Sequence, residues 1–363
     1  MKTSIQIGKI MGIPIKLHIT FLLILPVFAW MFARYEPQFG GFNDVEPVMF
    51  RYLLGMATSV LLFTCVLLHE LGHSYVAKKH GSNINNITLF LFGGISSMEE
   101  IPKDPKTELK MAISGPAVSL LIGSALIMIH GIFRQESLFN EDNPYMRLIW
   151  LVGFLNVVLC FFNMIPAFPM DGGRVLRAWL AGRMSYIEAT RTAANIGKMF
   201  AIFMGFFGFF YNILLTLIAF FIYIGASEEE KSTEVTVILE GVKVRDIMSK
   251  EVKTVSPETT VEELLDMMFK YKHMGYPVVD DSEVKGIVTF TDVQKVARED
   301  RKNVKVSQIM TKELITAKGN DEAVTVMKLL TKNNIGRIIV KNDEKMIGIV
   351  SRTDVLRAVQ LLE

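Results

Sequence analysis

Cysteine is nearly absent from this chain. The two present, Cys65 and Cys160, both lie in apolar runs, which excludes a disulfide framework. A surplus of one charge is missing too. Thirty-nine (39) lysines and arginines face 37 aspartates and glutamates, a net of +2, so no nucleic-acid partner is implied. The start lacks a typical signal peptide. Gly12-Ile13-Pro14 interrupts it and no small-residue cleavage site follows the first apolar run, which is therefore expected to be retained. Charge is also scarce inside most of the apolar runs, leaving no polar pathway of the kind a transporter or channel needs.

What is present is hydrophobicity, unevenly spread. Half of the 363 residues are hydrophobic and 21% are charged, with the long apolar runs confined to residues 1–226. A helix needs about 20 residues to cross a hydrocarbon core. Leu17–Ala33, Tyr52–Ala77, Met111–Phe133 and Tyr145–Ile165 qualify, followed by an apolar tract over Ile196–Ala226 that reads as two spans turning near Gly205, Gly208 or Asn212, the fifth starting near Ile187. Lysine and arginine then set the orientation. Lys78, Lys79, Lys103, Lys106, Lys110, Arg174, Arg177, Arg183 and Arg191 gather on one side. The opposite loops hold only Arg34, Arg51, Arg134 and Arg147. Positive residues favour the cytoplasm, so both termini are expected there.

The second run carries His69-Glu70-Leu71-Gly72-His73. Two histidines four apart share one helix face and one metal ion, and the carboxylate between them is placed to act on a metal-bound water. Ionisable groups at membrane depth are costly and point to function. A tetrahedral zinc site with an open position needs a third protein ligand. The metzincin spacing does not supply it, because Val76 and Lys79 stand where glycine and histidine would be required. The best donor is Asp171, in Asn163-Met164-Ile165-Pro166-Ala167-Phe168-Pro169-Met170-Asp171-Gly172-Gly173 at the end of the fourth run. There two prolines break the helix and two glycines allow close backbone approach. Cys65, one turn before His69, reads as a small packing residue, and Glu99 and Glu100 as solvent-facing loop carboxylates.

At these two motifs the chain resembles the site-2 protease family of intramembrane zinc metalloproteases. The resemblance implies that His69, His73 and Asp171 bind Zn2+, that Glu70 is the general base, and that Asn163 helps hold the substrate or the developing oxyanion. It also supports six spans. The segment 83–98 is too short and broken to cross as a helix. Thr88-Leu89-Phe90-Leu91-Phe92 favours strand and Gly93-Gly94 a turn. An exposed edge there, at Leu89, Leu91, Gly93 and Gly94, is expected to take an unwound substrate as an added strand, as the family resemblance suggests.

Residues 242–363 contain an internal repeat. Val244-Arg245-Asp246-Ile247-Met248 recurs as Val306-Ser307-Gln308-Ile309-Met310, and Gly286-Ile287-Val288-Thr289 as Gly348-Ile349-Val350-Ser351, at the same offset. Each copy reads strand, amphipathic helix (264–271 and 326–333), two short strands and a final helix. The pattern resembles a pair of cystathionine-β-synthase-type (CBS) domains, which implies adenine-nucleotide binding (ATP or AMP). Asp292 and Asp354 are suited to ribose hydroxyls, Thr289, Thr291, Ser351 and Thr353 to phosphate, and Thr254 and Thr316 to the base site. Ordinary helix caps are the alternative for these side chains. Ile338 stands where the first copy has Pro277, so the two sites are expected to differ. CBS resemblance also implies association into homodimers.

The expectation is a multi-pass α-helical membrane protein of about six spans with a short membrane-associated β segment, plus a cytoplasmic α/β CBS pair. Its divisions are a zinc metalloprotease core over 1–226, a linker over 227–241, and CBS domains over 242–299 and 304–361. Sitting in the lipid bilayer of the cell membrane, it would cleave single-span membrane proteins under nucleotide control. A CBS-gated transporter or channel and an inactive metal-binding scaffold are the other classes. Both leave the intact His-Glu-His and Asp-Gly-Gly groups with less to do.

Overall fold

A computed structural model describes residues 4–90, 93–98, 104–133, 143–281, 283–343 and 345–362. The chain folds as two compact units, Met1–Lys231 and Ser232–Glu363. The first begins with a hairpin, where the sequence alone reads only as interrupted at Gly12-Ile13-Pro14. Strand β1 (Ser4–Ile10) alternates apolar and polar residues and pairs antiparallel with β2 (Ile13–His18) around Met11 and Gly12, both at positive φ. Helix α1 (Ile19–Arg34) follows, its N-terminus capped by the His18 ring, which accepts from the Thr20 amide. Helix α2 (Val48–Lys79) carries both histidines.

Strands β3 (Ile84–Phe90) and β4 (Gly93–Met98) complete a four-stranded sheet of order β1-β2-β3-β4. Because β3 pairs parallel with β2 on one side and antiparallel with β4 on the other, it is interior. Leu89, expected at a docking edge, is instead buried against Phe21 and Phe63. Leu91 lies outside the described residues, as do Glu99 and Glu100. The edges of this sheet are β1 and β4, the latter with Gly93 and Gly94, and Ile13, Ile15 and Ile87 seat the sheet on Leu71 of α2.

Helices α3 (Pro105–Phe133), α4 (Pro144–Asn163), α5 (Asp171–Ala181), α6 (Tyr186–Tyr211) and α7 (Ile213–Ile238) follow. In lipid, helices associate through close packing of small residues rather than through the hydrophobic effect. A Cβ on Gly55 would lie 2.3 Å from the Ala29 carbonyl of α1, and one on Gly123 2.8 Å from the Gly153 carbonyl of α4. Among the described residues α2, α3, α4 and α6 are long and apolar enough to cross a membrane. The expected first and last spans are shorter: α1 has 16 residues, and only 213–226 of α7 is apolar. The fifth and sixth spans divide at Asn212, whose side chain accepts from Leu214 N, while Gly205 and Gly208 stay inside α6. The expected linker is helical from 227 to 238 as the continuation of α7.

In the second unit the repeat is exchanged between its halves. Copy one has α8 (Val244–Ile247), α9 (Val261–Tyr271), β5 (Gly275–Asp280), β6 (Glu283–Thr289) and α10 (Phe290–Gln294). Copy two has α11 (Val306–Ile309), β7 (Thr316–Lys318), α12 (Ala323–Lys332), β8 (Arg337–Asn342), β9 (Lys345–Ser351) and α13 (Arg352–Leu362). The first strand expected in copy one is reduced to a single bridge, Val255 to Val278. Val244 packs in the core of copy two and Val306 in that of copy one. Ser249 exchanges backbone hydrogen bonds with Ile349, and Thr311 with Ile287. Register also corrects the expected pairing of Pro277 with Ile338. Pro277 faces Ile287 and Ile339 faces Ile349, so Ile339 is its counterpart.

The crossing chains need glycine beneath them. A Cβ on Gly348 would lie 2.7 Å from Met248 Sδ and 2.9 Å from the Ser249 carbonyl. Gly348→Val is expected to lower the local opening free energy by about 1–3 kcal/mol, read as faster hydrogen exchange at the Ser249 and Ile349 amides.

Candidate metal centre

Two helices bring three ligand atoms together. Helix α2 supplies His69 and His73, one turn apart, and α5 supplies Asp171 from its first residue. Asp171 Oδ2 lies 3.1 Å from His69 Nε2 and 3.1 Å from His73 Nε2, and the two Nε2 atoms are 3.1 Å apart. Among the described residues, this is the group of three or more His, Cys, Asp or Glu able to hold a metal. Cys65 is buried outside it.

The far side of each imidazole is fixed. His73 Nδ1 sits 2.7 Å from the Met111 carbonyl, which only accepts, so Nδ1 carries the proton and Nε2 of the neutral ring turns a lone pair inward. His69 Nδ1 sits 2.9 Å from Ser119 Oγ. Two lone pairs and a carboxylate oxygen this close repel one another unless a proton or a metal cation lies between them. Donors bound to zinc at about 2.0–2.1 Å in a tetrahedron are separated by roughly 3.3 Å, so the set fits a zinc ion with one position left open.

Glycines create the space. A Cβ on Gly115 of α3 would lie 2.2 Å from His73 Nε2 and 2.7 Å from His69 Nε2. Gly172 and Gly173 let α5 begin against the corner that follows α4, since their Cβ atoms would meet the Ile165 carbonyl at 2.2 Å and the Phe168 amide at 2.6 Å. Glu70, between the histidines, accepts a 2.9 Å hydrogen bond from Ser96 Oγ of β4. Gly94 of the same strand packs on its side chain: a Cβ there would lie 2.4 Å from Glu70 Cγ.

Asn163 is not hydrogen-bonded to this group. Its amide donates to the Leu159 carbonyl, 3.0 Å away on its own helix. Reading the sequence missed Met111, Gly115, Ser119 and Ser96. A signal existed for two of them, because Gly115 and Ser119 are small residues four apart in an apolar run and so share a face. Arg177, expected among cytoplasmic loop charges, is buried in α5.

In the second unit the expected nucleotide residues divide. Asp292 Oδ2 accepts from Thr289 N and Oγ1 and its Oδ1 from Lys295, while Asp354 Oδ2 accepts from Ser351 N and Oγ. Burial acts to raise Asp292, but the Thr289 hydroxyl and Lys295 ammonium hold it below the usual carboxylate range. Both carboxylates therefore reach back from the first turn of their own helices, α10 and α13, to the residue before each helix. Thr254, Thr291, Thr316 and Thr353 are exposed.

Gly115→Ala is expected to displace an imidazole and to weaken zinc binding by more than the roughly 10–100-fold typical of losing an outer support. Ser119→Ala should fall within that range, both being measured by chelator competition on the purified chain.

The family model described as Peptidase family M50 matches residues 57–204, and the CBS domain model matches 244–299 and 306–361. Zinc metalloprotease MJ0392 of Methanocaldococcus jannaschii is 40% identical over 364 residues, covering 100% of this chain and 98% of that protein. Putative zinc metalloprotease Rip3 of Mycobacterium tuberculosis is 28% identical, covering 99% of this chain and 94% of its own. The solved site-2 protease from Methanocaldococcus jannaschii is 42% identical, covering 62% of this chain and 95% of that one with a TM-score of 0.46. Identity along nearly the whole length, rather than over the CBS pair alone, removes the transporter reading: this chain belongs to peptidase family M50, the site-2 protease group of zinc metalloproteases, and carries a C-terminal pair of CBS domains.

Proposed function

We propose that this protein hydrolyses peptide bonds within the membrane-spanning segments of single-span membrane proteins, close to the cytoplasmic face, with both its termini and its CBS pair in the cytoplasm. The observation that carries the reading is the convergence of Asp171 with His69 and His73 beside Glu70, the last three on a helix long and apolar enough to cross a membrane. When bound there, zinc would lower the pKa of a water toward ~7 and polarise the scissile carbonyl. His69, His73 and Asp171 hold that ion, their rings oriented by Ser119 and the Met111 carbonyl. Glu70, steadied by Ser96, takes the proton of the attacking water and delivers it to the leaving amine. Asn163 is assigned to the substrate or the oxyanion. One of its two amide N–H donors is spent on the Leu159 carbonyl, which leaves the other for that role, and such a donor is worth about 3–4 kcal/mol where one has been removed elsewhere.

A substrate helix satisfies its own amides and must unwind before attack. The free edge of β4 is a suitable receiver. It offers backbone groups along Gly93–Met98, and its Gly94 lies against the general base. Docking is thus assigned to Gly93 and Gly94.

The CBS pair is proposed to bind an adenine nucleotide, ATP or AMP, at Asp292 and Asp354 with Thr254, Thr289, Thr291, Thr316, Ser351 and Thr353. Binding would bias the protease between two states that hold the ligand differently. CBS resemblance extends this to a homodimer.

Purified wild type and Glu70→Gln are to be compared on a panel of tagged single-span proteins, with zinc quantified in both. Zinc in both and cleavage by wild type alone is the expected result; no zinc in either overturns the reading. Calorimetric titration with ATP and AMP is expected to give saturable heat that Asp354→Ala reduces. Absence of heat from every adenine nucleotide removes the regulatory part.

A further inference from the structure

Two of the three ligands have an evident outer support, and both supports come from one face of α3. Met111 holds His73 and Ser119 holds His69, while Gly115 between them makes room for both rings. The same face begins with Glu108, spaced by three, four and four residues from the others. Glu108 is fully buried and binds Arg177 of α5, six residues beyond Asp171. Its Oε1 accepts from Arg177 Nε at 2.8 Å and Nη2 at 2.5 Å. Arg177 is itself 1% exposed. It donates through Nη1 to Glu229 of α7 at 2.8 Å, and its guanidinium lies 5.0 Å from the centroids of both Phe168 and Tyr186.

We infer that the Glu108–Arg177–Glu229 cluster is the outer support of the third ligand. It fixes the rotation and axial position of α5, and thereby keeps Asp171 Oδ2 within reach of both imidazoles. Arg177 is a positioning residue, acting on the metal through its helix. Three arguments favour this over general packing. α5 starts at the ligand itself, so any turn of the helix moves Asp171. The planar fork of arginine grips two carboxylates from two different helices, which defines an orientation as an apolar side chain does not. Finally, Glu108 Oε2 has no hydrogen-bond partner among the described residues, so a carboxylate is retained at this depth although its own hydrogen bonding is incomplete.

The inference rests on reading His69, His73 and Asp171 as a zinc site, which wild-type zinc content tests separately. For the cluster itself, the full-length Glu108→Gln/Arg177→Met double variant removes the fully buried pair together and leaves only the part-buried Glu229 without its arginine. Chelator competition is expected to show zinc affinity lower by about 10–100-fold, and the Co2+-substituted protein to show altered ligand-field bands, with an unchanged elution profile. Arg177→Lys, with one point charge for two carboxylates, should restore only part of the affinity. Wild-type affinity and wild-type Co2+ bands in the folded double variant would overturn the proposal. If the double variant aggregates, Glu229→Gln decides, because it keeps the Arg177–Glu108 pair. A measurable loss of zinc affinity supports the cluster, and wild-type affinity overturns it.

Discussion

Everything in the first unit is arranged around one electrostatic difficulty. Three atoms bearing lone pairs are held 3.1 Å apart in apolar surroundings, where mutual repulsion is poorly screened. A cation between them turns that repulsion into attraction, and the three donors meet one only if the elements bearing them are held in register. The histidines share one helix and so need only correct rotation. Asp171 arrives from a different helix after a chain reversal. Close approach of α2 to α3 meets the first need: a Cβ on Gly72 would lie 3.0 Å from the Ser114 carbonyl, and Gly115 opens space under the rings. The proline-rich corner with its two glycines meets the second.

Of the three hydroxyls buried along α2, Thr58 returns to the Leu54 carbonyl and Ser59 to that of Gly55, while Ser74 meets Ser96 of β4. Ser119 and Ser96 reach between elements, and they do so at a ligand and at the base. Outside the centre similar clasps occur elsewhere in the described part of the unit, one of them at Arg147. Arg147 binds both oxygens of Asp44 and the Gly41 carbonyl, holding the Asp44 carboxyl below its usual range and closing the loop between α1 and α2.

The legible parts of the sequence were those whose logic is local. His69 and His73 declare themselves because four residues is one helical turn, and Asp171 because prolines and glycines announce a corner. The repeat was visible as repetition, yet its exchange of segments was not: whether Val244 packs in its own copy or the other is decided by contacts far along the chain. Leu89 was misplaced for the same reason, since its strand becomes interior only through a partner, β2, that precedes α1. Arg177 looked like any loop cation, because Glu108 and Glu229 are 69 and 52 residues distant. The β1–β2 hairpin is a different case. Ser4-Ile5-Gln6-Ile7 alternates with strand period, and the signal was read only as an interruption.

The unequal lengths of the helices bear on the bilayer itself. At 1.5 Å per residue, the 16 residues of α1 reach about 24 Å, short of a hydrocarbon core of about 30 Å, whereas α2 beside it has 32. Lipid meets such a mismatch by thinning locally, at a fraction of a kcal/mol per ångström. If α1 crosses the bilayer, as the sequence suggests, the annulus along it would be shallower than the surrounding membrane, and headgroups and their water would dip toward the helix that bears His69 and His73. A hydrolase working in oil has to obtain its second reactant from somewhere, and such a dimple would shorten the way. Bilayer thickness would then become a variable of the reaction, since a thicker membrane deepens the strain around α1.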